Sequence, residues 1–322
     1  MKTQITSMAA NLPLVLAVAL FAVFAVGLDN FASPQNTYAI FQTFALLGLI
    51  TLGLSMTMLV GEFDLSVGSM VAVAGLITLK VGGDDLVTGA LAAMAFAFVV
   101  GTLNALVFVW LRLSSLVVTV GTMIALSGFA YWLAGGKIIS TDNFDAGALW
   151  DDSILGIFSA RSLLTILAFI VMAGILKFTR LGRDMVATGS STHAARACGV
   201  SIGRVHLFAF VLSSLCAGLA GVLLSISLAT ASATMGSNLL LQAVSAAIIG
   251  GVALAGGIGK PSGVLFGVLI LTILNNGLSL LGASSAAILL TNGLLLLVVV
   301  VIDGKSGALL QIVRSKGLTR QA

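Results

Sequence analysis

Charge is what this sequence has least of. Only 8% of its 322 residues are Asp, Glu, Lys or Arg, while 59% are hydrophobic and the mean hydropathy is +1.18. An ordinary soluble domain carries roughly 25% charged residues, so a water-soluble fold is excluded. Proline is nearly missing, with 3 residues against 37 glycines, a balance that suits closely packed spanning helices better than a loop-rich or fibrous chain. The two cysteines, Cys198 in a polar stretch and Cys216 in an apolar run, suit neither a disulfide framework nor a metal site. The two histidines, His193 and His206, have no paired ligands at metal spacing.

Nucleotide and nucleophile motifs are missing too. Gly304, Lys305 and Ser306 follow an apolar run, and Val299 stands where a Walker A motif needs its first glycine. The segment GGIGKPSG at 256–263 fails because Pro261 occupies the Ser/Thr position. No G-x-S-x-G elbow occurs. The chain is therefore expected to be no enzyme and to bind no cofactor or metal, and energy for uphill work must come from elsewhere. Two classes remain: a membrane subunit driven by a separate ATPase, and an ion-coupled carrier or channel. A proton- or sodium-coupled carrier places acidic residues deep in its bundle. Here the long apolar runs contain none, apart from Glu62 and Asp64 near a seam.

What is present is a set of charge-free runs. A spanning helix needs about 20 apolar residues. Residues 86–111, 113–136 and 162–176 hold no charge, and between Arg204 and Asp303 the only formally charged residue is Lys260. The fold expected is an all-α membrane protein, one transmembrane domain over 1–322 with about ten spans. They fall near 11–28, 38–60, 67–82, 86–111, 114–134, 161–178, 205–229, 239–256, 264–281 and 286–302. With the N-terminus inside, twelve of the fifteen basic residues lie on the inner side and Lys80, Lys137 and Arg161 lie outside, as the positive-inside rule requires. The third span is the weak one, short and open to interruption, because Lys80, Asp84 and Asp85 crowd its end. Nine spans with the N-terminus outside would leave the remaining orientation unchanged.

Three polar segments stand out. TRLGRDMVATGSSTHAARACGVSIGR at 179–204 is the sizeable inner loop and carries a concentration of basic residues. Within it Ser191 or Thr192 can cap a short helix through His193, Ala194, Ala195, Arg196 and Ala197, and Gly199 can end it in a left-handed conformation. So short a helix is marginal alone, and its small alanines would let it sit in a partner's groove. In GEFDLSVGSM at 61–70, Glu62, Asp64 and Ser66 sit at a glycine-flanked seam. Either they cap the third helix, or they line a cavity as carboxylates placed near hydrocarbon often do. Among residues inside the spans, Asn104, Thr119, Asn275, Asn276 and Asn292 either bond neighbouring helices or face an uncharged, hydroxyl-rich solute. The spacing of Gly259, Gly263 and Gly267 permits close helix contact. The outer loop at 137–160, with Asp142, Asp145, Asp151, Asp152 and Trp150, reads as a solvated loop or a partner contact.

Four of these stretches, in order, resemble the permease subunits of bacterial sugar ABC importers, the branch that includes ribose, xylose and arabinose permeases. They are GEFDLSVGS, the pair TRLGRDMVATG and AARACGVSI, IIGGVALAGGIGKPSG, and LNNGLSLLGASS. The resemblance implies a multi-pass protein of the bacterial inner membrane, with its C-terminus in the cytoplasm, that moves a sugar or similar small polar solute inward. It implies two cytoplasmic ATP-binding subunits that use ATP and Mg, a periplasmic solute-binding protein, a second permease copy or sister permease, surrounding membrane lipid, and no nucleic acid. It assigns the 179–204 loop to coupling with the ATPase, through Arg180, Gly182, Arg183, Gly189, Thr192, His193, Ala194, Ala195, Arg196 and Gly199. The solute path is expected to use Glu62, Asp64, Ser66, Asn104, Asn275 and Asn276. The chain departs from the pattern at GSNLLLQAV, 236–244, where relatives carry acidic residues, and at GSSTHAA, where an asparagine and an acidic residue are common.

Overall fold

The computed structural model describes residues 2–318 apart from 84 and 144, with side chains described over 12–301. Each expected apolar run folds as a helix. They are α1 (Lys2–Gly27), α2 (Pro34–Leu59), α3 (Val67–Gly82), α4 (Leu86–Leu111), α5 (Ser115–Ala134), α7 (Ala160–Phe178), α10 (Ile202–Leu228), α11 (Leu239–Ile249), α12 (Pro261–Leu280) and α13 (Ser285–Leu318). The polar segments contribute the short helices α6 (Asp145–Asp151), α8 (Arg180–Ser190) and α9 (Thr192–Ala197), and two strands, β1 (Ile139–Ser140) and β2 (Thr230–Ala231), pair antiparallel. Among the described residues, six helices are long and apolar enough to cross a membrane and four apolar segments are shorter. The architecture is that of a polytopic, essentially all-α membrane protein.

Local chemistry sets several helix boundaries. Ser33 caps α2 by accepting from the Asn36 amide at 3.2 Å, and Pro34 fills the first helical position, where its missing N–H costs nothing. Asp85 caps α4 through the amides of Val87 and Thr88. α3 is unbroken, and its residues Val67 to Leu79 are almost all buried. A helix apolar on every side belongs inside a bundle, and α3 is enclosed by α10, α4 and α5 while α2 packs on α10. α1, α7, α11 and α12 surround the α2 side, and α13 packs on α11 and α12.

Several features differ from expectation: α1 begins at Lys2 rather than near 11, and α13 continues to Leu318 rather than ending near 302. α11 stops at Ile249 rather than near 256. Residues 250–260 turn back as a glycine-rich loop, in which the Gly257 amide donates to the Leu59 carbonyl at 2.8 Å. The 137–160 segment, expected as an outer loop, is folded: β1 ties it to β2, and α6 lies against the end of α10. The expected close contact at Gly263 and Gly267 is present. A Cβ there would lie 2.2 Å from the Gly250 carbonyl oxygen and 2.1 Å from that of Ala246, so α12 approaches α11 backbone to backbone.

Candidate functional site

The seam between α2 and α3 is built around Asp64. Its Oδ1 accepts from the Ser66 amide at 3.0 Å and from the Ser66 hydroxyl at 2.5 Å. Asn104 on α4 donates to Ser66 Oγ at 3.2 Å, and Thr122 on α5 donates to Asn104 Oδ1 at 2.6 Å. The string ties the α2–α3 seam to α4 and α5 through a largely buried interior, where successive hydrogen bonds reinforce one another. Ser66 holds the N-cap position of α3 but makes no side-chain capping bond, so its hydroxyl serves the string instead. Asp64 is fully buried, and its Oδ2 has no partner. Ser213 on α10 neighbours the carboxyl, yet its own hydroxyl is also unpartnered. Leaving such groups unmatched in a buried site costs free energy. Glu62 is half-buried beside the string, and its amide donates to the Thr57 carbonyl.

Asn275 and Asn276 do not join this group. Asn276 on α12 exchanges two hydrogen bonds with Asn36 at the start of α2, at 2.9 and 3.0 Å. That reciprocal amide pair consumes its polar capacity as a helix-to-helix tie. Asn275 is half-buried, with its Oδ1 unpartnered.

The 179–204 segment folds into two helices where one was expected. Thr179 caps α8 by accepting from the Gly182 amide at 3.1 Å. Gly182, Met185 and Thr188 are its buried residues, whereas Arg180 and Arg183 are exposed. Gly182 is close to the backbone at the end of α7: a Cβ would lie 2.3 Å from Leu176 Cα. Gly189 is closer still to its neighbours. A Cβ there would lie 1.9 Å from the Leu59 carbonyl oxygen and 2.5 Å from the Gly257 nitrogen. α8 is thereby pressed onto the last residue of α2, five positions before Asp64.

α9 follows the expected chemistry closely. Ser191 accepts from the Ala194 amide at 3.3 Å. Gly199 ends the helix at φ +81°, with its amide bonded to the Arg196 carbonyl and the Val200 amide bonded to that of Ala195, the Schellman pattern. Thr192, His193, Ala194, Arg196 and Gly199 are exposed, but Ala195 is buried at 4%. Ala195 therefore anchors α9 to its own chain and is not part of the free face.

A second buried cluster, at the opposite ends of α2, α7 and α10, was missed by sequence reasoning. Arg161 Nε lies 3.0 Å from Asp151 Oδ1 and 2.6 Å from Gln42 Oε1, and its guanidinium donates to Ser227 Oγ at 2.9 Å. Ser227 in turn donates to Asp151 Oδ2 at 2.5 Å, and Ser159 to Gln42 Oε1 at 2.6 Å. Tyr38 adds a bond to the Asp151 carbonyl. The one signal available beforehand was an arginine at the mouth of an apolar run, a position that demands a partner.

A bundle of long apolar helices with buried polar strings defines a multi-pass membrane protein. The comparisons make the class specific. The family described as branched-chain amino acid transport system, permease component, matches residues 36–302, and the chain belongs to it. It is 33% identical over 285 residues to a probable ABC transporter permease protein y4mJ of Sinorhizobium fredii, covering 88% of this chain and 84% of that one. It is 32% identical to the L-arabinose transport system permease protein AraH of Escherichia coli, over 84% of this chain and 83% of the relative. The autoinducer 2 import system permease protein LsrC of Yersinia pseudotuberculosis is 33% identical, over 81% and 75% of the two chains. No solved structure matches.

Proposed function

We propose that this chain is the membrane-spanning permease subunit of an ABC importer that brings a sugar or similar small polar solute into the cytoplasm, with ATP hydrolysed by separate subunits. Relatives named for L-arabinose and autoinducer 2 support that solute class. The charge distribution supports ten crossings of the inner membrane with both termini cytoplasmic. A solute-binding protein on the outer side and a second permease copy or sister permease complete the assembly.

The observation that carries the coupling role is the contact of Gly189 with Leu59 and Gly257. The exposed α9 is the handle that an ATPase grips, and α8 is the lever. Its C-terminal end, next to the handle, bears on the α2–α3 seam through Gly189, so movement of the handle reaches Asp64 through backbone contact, which transmits displacement with little slack. The string Asp64–Ser66–Asn104–Thr122 then acts as the hinge of the switch from outward to inward access.

Ala194→Glu tests the handle. A carboxylate on this exposed residue leaves the fold intact but faces a cost on entering the partner's groove, so binding of the ATP-binding subunit should fall about tenfold or more. Co-purification and uptake in reconstituted vesicles check this, with Ala195→Glu as the variant that unfolds α9 instead. Full ATPase binding and normal uptake for Ala194→Glu would refute the assignment.

Asp64→Asn tests the hinge. The amide preserves shape and can still accept from Ser66, while its new N–H₂ faces the unpartnered Ser213. Assembly should persist and uptake per assembled complex should drop severalfold. Unchanged uptake per complex would reduce Asp64 to a packing residue.

A further inference from the structure

A cavity of about 770 Å³ opens where α1, α7 and α8 meet the 250–260 loop and the start of α12. Its walls include Pro13 on α1, Leu176 on α7 and Val186 on α8, and its rim holds Lys177, Lys260 and Ser262. No acidic residue lines it. Lys177 and Lys260 are exposed, and neither forms an ion pair among the described residues. Lys177 stands in the last turn of α7, and Lys260 immediately precedes α12, so both cations sit at the level where helices leave the hydrocarbon. Below them the outward face of α7 is apolar: Leu167, Ile170 and Val171 are all more than half exposed. The cavity thus offers two cations without acidic partners at the interface, Lys177 lying over the Phe178 ring at 5.1 Å, and a greasy track leading away from them.

We propose that this cavity binds the headgroup of an anionic phospholipid, with its phosphate between Lys177 and Lys260 and its acyl chains along α7. Two chemistries must be satisfied at once, an anion at the rim and hydrocarbon along the wall, and a phospholipid supplies both. Basic pockets between spanning helices at the cytoplasmic face are suited to such headgroups. The first turn of α12 at Ser262 and Gly263 adds backbone N–H groups on the same side. The location gives the site a consequence. Val186 lies on α8, and the 250–260 loop bonds to Leu59, so an occupied cavity braces the lever that carries coupling. Assigning the site to the anionic inner leaflet rests on the proposed orientation, whereas binding itself is measured without any transport assay.

The test uses the full chain purified in detergent and titrated with dioleoyl phosphatidylglycerol, dioleoyl phosphatidylcholine or inorganic phosphate, reading the thermal unfolding midpoint. Phosphatidylglycerol should raise the midpoint, and the other two should not. Each lysine is expected to contribute about fivefold in apparent affinity, so Lys177→Gln with Lys260→Gln should weaken the phosphatidylglycerol effect roughly 25-fold. Lys137→Gln, on the outer segment, should leave it unchanged. Native mass spectrometry of the unsubstituted protein in an equimolar lipid mixture provides a readout independent of the variants, with phosphatidylglycerol enriched. Equal response to both lipids, an equal effect of inorganic phosphate, a full effect in the double variant, or parity in the mass spectrum would each overturn the proposal.

Discussion

Arg161→Met will destabilise the protein by about 3 kcal/mol, at the lower end of the range for breaking a buried pair, since Asp151 keeps some access to water. The Arg161 side chain is 8% exposed and that of Asp151 24%. Methionine fills the space of the arginine stem but leaves the Asp151 carboxylate without its cation and Gln42 Oε1 without its strongest donor. α6, held to the bundle through Asp151, should loosen first, and thermal unfolding in detergent should register the loss. Asp151→Leu added to Arg161→Met removes the orphaned charge and should recover a large part of it, as replacement of whole buried pairs by apolar residues often does. Stability of Arg161→Met within about 0.5 kcal/mol of the parent, the range of an ordinary surface change, would mean that the pair contributes nothing.

Gly189→Val should abolish coupled uptake. Every L side chain starts with a Cβ, and here that atom would stand 1.9 Å from the Leu59 carbonyl oxygen, a backbone atom that cannot rotate away. α8 must therefore lift off the seam. Overpacking of this kind costs about 1–3 kcal/mol, which leaves the bundle assembled. The functional loss should be far larger, because the lever no longer touches the element it moves. Gly174→Ala in α7 is the matched control, since nothing lies within 4 Å of a Cβ there; it should preserve uptake and slightly favour the helix. Wild-type uptake by Gly189→Val, measured per assembled complex, would remove α8 from the coupling route.

Much of this architecture was legible beforehand. Charges in hydrocarbon are costly one residue at a time, so gaps between them located α3, α4 and α5 to within a residue or so of their observed bounds. The cap at Ser191 and the left-handed Gly199 were readable for the same reason: each depends on neighbours three to five positions away. α8 was overlooked because its polar face hides a buried stripe of three residues, Gly182, Met185 and Thr188, too short for periodicity to stand out. The early end of α11 was overlooked because residues 250–256 prolong the apolar run, although Gly250, Gly251 and Gly256 favour a turn over a helix.

Class, helix placement and the two caps of the 179–204 segment thus follow from sequence, because transfer cost and capping are local quantities. The long-range polar partners do not. Asp64 bonds locally to Ser66, but Ser66 is met by Asn104, Asn104 by Thr122, and Arg161 by Gln42, Asp151 and Ser227, residues up to 119 positions apart in the chain. Nothing local encodes which of these side chains meet. The same holds for Ala195, whose identity suits either a free face or a buried one until α9 is docked, and for Gly189, whose missing side chain matters only once Leu59 lies against it.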